Sequence, residues 1–149
     1  MNGETKVILL GIGFLVMFLL FFTVIIIKKG RRRVLHPDEM EGHEFEYFCA
    51  ELLEKRGFVE VEVTKASGDY GVDILAEKEG ITFAIQCKCH NSPIGVKAIQ
   101  EAYAGRDYYD RMVGAVMTNQ YFTASAVKAA KKLKILLWDR GYPFITLPS

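Results

Sequence analysis

An aspartate, a glutamine and a lysine stand at the ends of a predicted β-hairpin, as Asp73, Gln86 and Lys88. The sequence between them has the apolar patterns of two strands, joined by Glu79-Gly80 as a two-residue turn. Counting outward from that turn places Asp73 opposite Gln86, and the Cβ atoms of such a pair lie about 5 Å apart. Lys88 is two residues beyond Gln86 and therefore points to the same face. The spacing predicts that the three side chains converge.

Such a cluster contains the groups needed for metal-assisted chemistry at a phosphate. The Asp73 carboxylate and the Gln86 amide oxygen are hard ligands suited to Mg²⁺, and the backbone carbonyl of Cys87 is a further candidate. A divalent ion activates water and screens phosphate charge, and the Lys88 ammonium can orient the water or stabilise added negative charge. The alternative readings are purely structural: Asp73 as an acid in a turn, and Gln86 and Lys88 as an exposed strand face.

The segment from Gly71 to Lys88 resembles the core of the PD-(D/E)xK nucleases, in the form found in Mrr-like restriction endonucleases. That family has Gly-x-Asp, a hairpin and then Gln-x-Lys, which stand here as Gly71-Val72-Asp73 and Gln86-Cys87-Lys88. Its Phe-Glu pair on the first helix is matched by Phe45-Glu46. Gln86 replaces the acid of the wider superfamily, as is usual in this branch. The resemblance covers nearly all of residues 43–140.

This resemblance implies a Mg²⁺-dependent deoxyribonuclease, a type IV restriction endonuclease-like hydrolase that restricts foreign or modified DNA, with Mn²⁺ as the alternative ion. It implies catalytic roles for Asp73, Gln86, Lys88 and Glu46. The implied metal ligands are Asp73, Gln86, the Cys87 carbonyl and Glu46. A glutamate on a helix is usually only solvated, so the role of Glu46 stays open. DNA is the implied partner, and a homodimer is expected because a double-strand break requires two active sites.

Two other functions remain open on the residues alone. The first is a DNA-binding or scaffolding module that keeps the fold without turnover, which is favoured by the net charge of −4 over residues 34–149. The second is cleavage of RNA, because nothing here distinguishes the sugar. Tyr103, Tyr108 and Tyr109 would either stack on bases or pack in the core.

Several other side chains have weaker cases for a function. Asp69 either assists the metal site or caps the turn before Gly71, and the turn is favoured. Cys87, Cys89 and His90 resemble soft-metal ligands but lack the second paired motif of zinc sites. The residues that would contact DNA or simply be solvated are Lys97, Gln100, Tyr103, Lys128, Lys131, Lys132 and Lys134.

Hydrophobic periodicity predicts an α/β fold with the order αβββαβαβ, a mixed sheet flanked by helices. The first helix is predicted to begin near Asp38 and to end by Gly57, with its apolar face running from Phe45 to Leu53. Together these elements form the predicted Mrr-like nuclease domain, residues 34–149. The later predicted elements are strands at 59–64, 72–77, 81–87, 112–117 and 135–138, and helices at 96–109 and 123–133.

The N-terminal segment has a different composition. Residues 7–27 contain no charged side chain, and at about 1.5 Å per residue they are long enough for the ~30 Å hydrocarbon core of a bilayer. A basic flank follows at residues 28–33, where a secretory signal peptide, the alternative, would have small residues at a cleavage site. We therefore predict that residues 1–33 are a transmembrane anchor with a basic cytoplasmic flank.

Charge distribution predicts both orientation and binding surfaces. The positive-inside tendency places the N-terminus outside and the following domain in the cytoplasm, which predicts a single-pass protein of the cell membrane with the lipid bilayer as a partner. The basic flank is alternatively a nucleic-acid patch. Residues 34–96 have a net charge of −8 and residues 97–149 of +4, which suggests a metal side and a phosphate side.

Overall fold

The protein is described from a computed structural model, over residues 11–23, 36–64 and 70–141. The chain divides into two compact units, Met1–Leu35 and His36–Ser149. In the first unit, residues 11–23 are helical.

The predicted membrane location is contradicted. Within residues 11–23, 36–64 and 70–141, no helix is both long enough and apolar enough to cross a bilayer. The rest of the predicted span, residues 7–10 and 24–27, and the basic flank lie outside the described residues. The expected lipid partner depended on the same span.

The second unit contains a five-stranded mixed sheet with helices on both faces, and the predicted order αβββαβαβ is confirmed. The strands lie in chain order across the sheet; β1, β2 and β3 are antiparallel, whereas β3, β4 and β5 are parallel. The elements are a 3-10 turn (Pro37–Glu39), α1 (Gly42–Lys55), β1 (Val59–Val63), β2 (Ile74–Lys78), β3 (Ile81–Lys88), α2 (Val96–Tyr108), β4 (Val113–Thr118), α3 (Ala124–Leu133) and β5 (Ile135–Trp138).

The first helix begins later than predicted. Pro37 and Asp38 start only a 3-10 turn, because the chain becomes extended at Met40, with φ −82° and ψ 142°. The α-helix begins at Gly42 instead, where the Glu44 carboxylate accepts a hydrogen bond of 3.3 Å from the Glu41 backbone N–H. This bond satisfies one of the donors that a helix start leaves without an intrahelical partner.

The hairpin between β2 and β3 has the predicted register, from Lys78 opposite Ile81 to Ile74 opposite Ile85. Glu79 and Gly80 both have positive φ, 55° and 78°, as a two-residue turn of this twist requires. Glycine adopts that conformation without strain, which explains its place in the turn.

Two apolar layers cover the opposite faces of the sheet. On one face, Phe45, Cys49 and Leu53 of α1 are fully buried against a cluster that includes Ile85 and Cys87. On the other, small residues of α2 and α3 pack against a second cluster that includes Val116 and Ile135. Because side chains alternate along a strand, Gln86 and Lys88 face the side of α2. Each large buried side chain contributes about 1.5–3 kcal/mol to the free energy of folding.

Candidate active site

Asp73 lies immediately before β2 and is 8% exposed. Its backbone extends the hairpin, since Asp73 N–H donates to the Ile85 carbonyl at 2.9 Å and its own carbonyl accepts from Thr64 N–H at 2.9 Å. Its Oδ2 accepts hydrogen bonds from Gln86 Nε2 and, at 2.6 Å, from the Cys87 backbone N–H. The predicted meeting of Asp73 and Gln86 across the hairpin is therefore observed.

Gln86 is 4% exposed, and the two ends of its amide have different environments. Nε2 faces the Asp73 carboxylate and lies 3.4 Å from the Cys87 carbonyl oxygen. Oε1 is buried without a hydrogen-bond partner among the described residues. A buried oxygen without a hydrogen bond costs about 1–3 kcal/mol of desolvation free energy. The Gln86 Oε1 atom is therefore a candidate for contact with a ligand.

Lys88 ends β3 and contacts a residue that the motif analysis did not select. Its Nζ lies 2.8 Å from Oε2 of Glu101 on α2, and the side chains are 32% and 29% exposed, respectively. Both residues line an open pocket of about 250 Å³, together with Lys97, His90 and Pro93–Gly95. The pocket gives solvent, and any ligand, a path to the exposed end of the site.

Close packing of α2 holds the segment that leads into Asp73. Gly71 has φ +78°, and a Cβ placed on it would lie 2.8 Å from Glu101 Cβ and 3.2 Å from Gln86 Oε1. A Cβ on Gly105 would lie 2.3 Å from Val72 Cγ2 and 2.9 Å from the Tyr70 carbonyl oxygen. The two glycines therefore permit a helix-to-loop approach that any side chain would block.

The charges of Glu46 and Asp73 both act on the Cys87 thiol. The Cys49 thiol, by hydrogen bonding, and burial are the larger causes that raise the pKa of Cys87 well above its usual value, and the charges of Asp73 and Glu46 add to them. The Glu46 carboxylate itself lies 2.9 Å from His43 Nδ1, one turn earlier on α1. Its predicted role as a metal ligand stays a prediction.

A polar network around the buried Asn119 supports the carboxyl ends of the parallel strands, and sequence reasoning missed it. Asn119, 1% exposed, donates to Asp38 Oδ1 at 2.9 Å and to the His90 carbonyl at 3.0 Å. Arg140 donates to the Asn119 carbonyl at 2.8 Å and to Asp38 Oδ1. The network joins the 3-10 turn to the segments after β3, β4 and β5.

The family assignment follows from the match to a family model. The model described as Restriction endonuclease (Mrr_cat) matches residues 37–142, a range that contains every helix and strand described for the second unit. The chain belongs to this restriction endonuclease family. Its PD-(D/E)xK members typically use a divalent metal.

This chain is similar to only part of the length of each of three known proteins. An uncharacterised protein of Archaeoglobus fulgidus is 31% identical over 102 residues, which are 63% of this chain and 59% of that protein. The crystal structure of a protein of unknown function, AF1548, is similar with a TM-score of 0.59 and 28% identity, over 69% of this chain and 60% of that one. The DNA modification-dependent restriction endonuclease AspBHI has a TM-score of 0.47 and 18% identity, over 65% and 28% of the two chains. The chain thus spans about 60% of the length of the first two.

The donor set of this family member fits a hard divalent ion. The unpartnered Gln86 Oε1, the Asp73 carboxylate and the Cys87 carbonyl oxygen are oxygen donors of the kind that a hard divalent ion prefers. No group of three or more His, Cys, Asp or Glu side chains suited to a metal occurs within the described ranges.

The remaining predicted residues lie at the surface or outside the described ranges. Cys89 is half-buried, and its Sγ faces the carbonyl oxygens of Pro37 and Met40 at 3.4 and 3.2 Å. Asp69 lies outside the described residues. Tyr108 stacks on Tyr70 with ring centroids 3.7 Å apart, and both are 56% exposed, so packing in the core is not their use. The exposed candidates for DNA contact are Lys97, Gln100, Tyr103, Lys128, Lys131, Lys132 and Lys134.

Proposed function

We propose that this protein is a metal-dependent endonuclease that hydrolyses DNA phosphodiester bonds, with Mg²⁺ as the ion and Mn²⁺ as the alternative. The single observation that carries the proposal is the contact of buried Asp73 with Gln86, two residues from Lys88 at an open pocket. A buried acid next to an amide with an unpartnered oxygen is costly for stability alone. It is useful where a cation binds.

The metal would be held by the Asp73 carboxylate, the Gln86 Oε1 oxygen and the Cys87 carbonyl oxygen. Glu46 would be the further ligand that the family resemblance implies. When bound, a divalent ion lowers the pKa of water and screens the charge of a phosphate.

The protein's own groups then bind and orient the substrate. The Lys88 ammonium has three N–H donors, and Glu101 occupies one side of it. The others face the pocket, where they would donate to a non-bridging phosphate oxygen or orient a water molecule. Charge stabilisation of this kind is worth most where water is partly excluded.

DNA would approach along the basic part of the unit. Residues 97–149 have a net charge of +4, and the exposed Lys97, Gln100 and Tyr103 lie on α2 beside the pocket. Lysines at such positions contact phosphates and position the duplex without reading its sequence. For a double-strand break we expect a homodimer, with one such site on each strand.

The test is a plasmid-nicking assay on the purified full chain, with Mg²⁺, with Mn²⁺ and with a chelator. Asp73→Asn and Lys88→Met should each reduce the cleavage rate, Lys88→Met by about 10²–10³-fold if it stabilises charge at phosphorus. Asp110→Asn and Lys55→Met are matched controls, because both residues are exposed and lie at the ends of α2 and α1.

The assay also separates the alternatives. Cleavage that survives both substitutions, or that does not need a metal, would contradict the proposal. Binding of DNA without cleavage, unchanged by metal, would favour the scaffolding function. Faster cleavage of an RNA substrate of the same sequence would indicate a ribonuclease instead.

A further inference from the structure

Glu101 on α2 forms an ion pair with the Lys88 side chain. Its Oε2 lies 2.8 Å from Lys88 Nζ, and that oxygen is buried with no aligned hydrogen bond among the described residues. The contact is therefore an ion pair at the wall of the pocket. It leaves the other N–H donors of Lys88 available for a phosphate.

The backbone of Glu101 is itself fixed. A Cβ on Gly71 would lie 2.8 Å from Glu101 Cβ and 3.2 Å from Glu101 Cα, so the helix and the loop before Asp73 are in direct contact. The next turn of α2 repeats this approach, where Gly105 faces Val72. Glu101 therefore has little freedom to move away from the site on its helix.

The same packing brings Glu101 close to Gln86. A Cβ atom placed on Gly71 would lie 3.2 Å from Gln86 Oε1 as well as 2.8 Å from Glu101 Cβ. One short loop thus separates the acid that contacts Lys88 from the amide that contacts Asp73. The other ion pair of Glu101, with Lys97 at 3.8 Å, involves a side chain that is 88% exposed, and exposed pairs of this kind contribute little.

We propose that Glu101 is a positioning residue for Lys88, an inference that rests on the proposed nuclease function. A lysine has a flexible four-carbon stem, and ordering it costs rotamer entropy. Glu101 restricts that stem before the substrate arrives, so the ammonium is already aimed into the pocket. Such preorganisation raises the rate of the chemical step more than it raises affinity.

The variant that tests this is Glu101→Gln, which keeps the shape of the side chain and removes its charge. We expect kcat for DNA cleavage to fall by roughly ten- to a hundredfold, with KM changed by less than about threefold. Glu54→Gln is the matched control, because it removes the same charge from an exposed position on α1. A purely structural role for Glu101 would leave kcat unchanged once the variant is folded.

A second measurement does not depend on activity. Nitrogen NMR relaxation of the full chain reports the order of the Lys88 ammonium, which should fall in Glu101→Gln and stay unchanged in Glu54→Gln. Unchanged kcat in an active enzyme, or unchanged order of Lys88, overturns the inference. If the wild-type protein does not cleave DNA, the proposed function fails, and the NMR result still decides whether Glu101 positions Lys88.

Discussion

The Gln86 amide donates to the Asp73 carboxylate across the end of the hairpin, and both side chains are more than nine-tenths buried. The N–H group thereby directs a partial positive charge at Asp73, at the place where a cation would otherwise bind. Gln86 can serve the site in both states, because its two amide atoms have opposite polarity. A carboxylate at this position could bind a cation but could not donate a hydrogen bond to Asp73.

The first prediction follows from that difference. Gln86→Glu places two carboxylates in contact in a buried site, where like charges destabilise each other. Without metal we expect the variant to lose about 1–3 kcal/mol of unfolding free energy. Its melting temperature should rise more with added Mg²⁺ than that of the wild type, as thermal unfolding by circular dichroism would measure.

Gln86→Met is the control for the first prediction. It has a similar volume and no oxygen, so its melting temperature should not respond to Mg²⁺ at this site. Equal responses of the Glu and Met variants would mean that position 86 does not face a cation.

The second prediction concerns the close approach of α2 to the loop before Asp73. Gly105→Ala places a Cβ 2.3 Å from Val72 Cγ2, so the loop or the helix must move, at a cost of about 1–3 kcal/mol. Because that loop leads directly into Asp73, cleavage should fall as well. Urea denaturation measures the first effect and the nicking assay the second.

A matched glycine provides the comparison. A Cβ on Gly42, at the start of α1, would meet nothing within 4 Å, and alanine is the better helix former. Gly42→Ala should therefore be neutral or slightly stabilising. Equal stability of the two alanine variants would refute the packing argument.

The third prediction concerns acid stability. The hydrogen bond from Arg140 holds the pKa of Asp38 below its usual value, against a smaller opposing effect of burial, and Asn119 acts in the same direction as Arg140. A lowered pKa in the folded state adds stability that is complete above the unfolded value of about 4 and is lost as pH falls through the folded value. Asp38→Asn should remove this part of the pH dependence.

Urea denaturation at about pH 7 and about pH 3 would measure this pH dependence of the unfolding free energy. The wild type should lose more unfolding free energy between the two than Asp38→Asn does, whereas exposed Glu54→Gln should behave as the wild type. An identical loss in Asp38→Asn would show that the Asp38–Arg140 contact adds no acid-sensitive stability.

The sequence predicts the hairpin and the meeting of Asp73 with Gln86 because both depend on residues that are close in the chain. A two-residue turn at Glu79-Gly80 sets the register as far as Ile74 opposite Ile85, and Asp73 and Gln86, the next residues outward, are in contact. The alternation along β3 then determines the face of Lys88. The first helix was predicted too early, because the extended backbone of Met40 is not visible in the hydrophobic pattern.

Glu101 could not be found in the same way. Its contact with Lys88 depends on how α2 packs on the sheet after a crossover, and no spacing rule connects the two residues. One signal was present: Ala98, Ala102 and Gly105 form a small-residue face on α2, and all three are buried. Such a face predicts a close helix approach, and Glu101 is adjacent to it.

The proposed function requires that the Asp73–Gln86 contact gives way to a divalent cation. The most direct measurement is the broadening of the Gln86 side-chain amide NMR signals by paramagnetic Mn²⁺, in the full-length wild type and in Asp73→Asn. We expect strong broadening of the Gln86 signals at substoichiometric Mn²⁺ in the wild type. Added Mg²⁺ should reverse this broadening by competing with Mn²⁺ for the site, and Asp73→Asn should show little broadening. Gln86 signals that stay sharp in the wild type, or that broaden equally in both proteins, would contradict the proposed function.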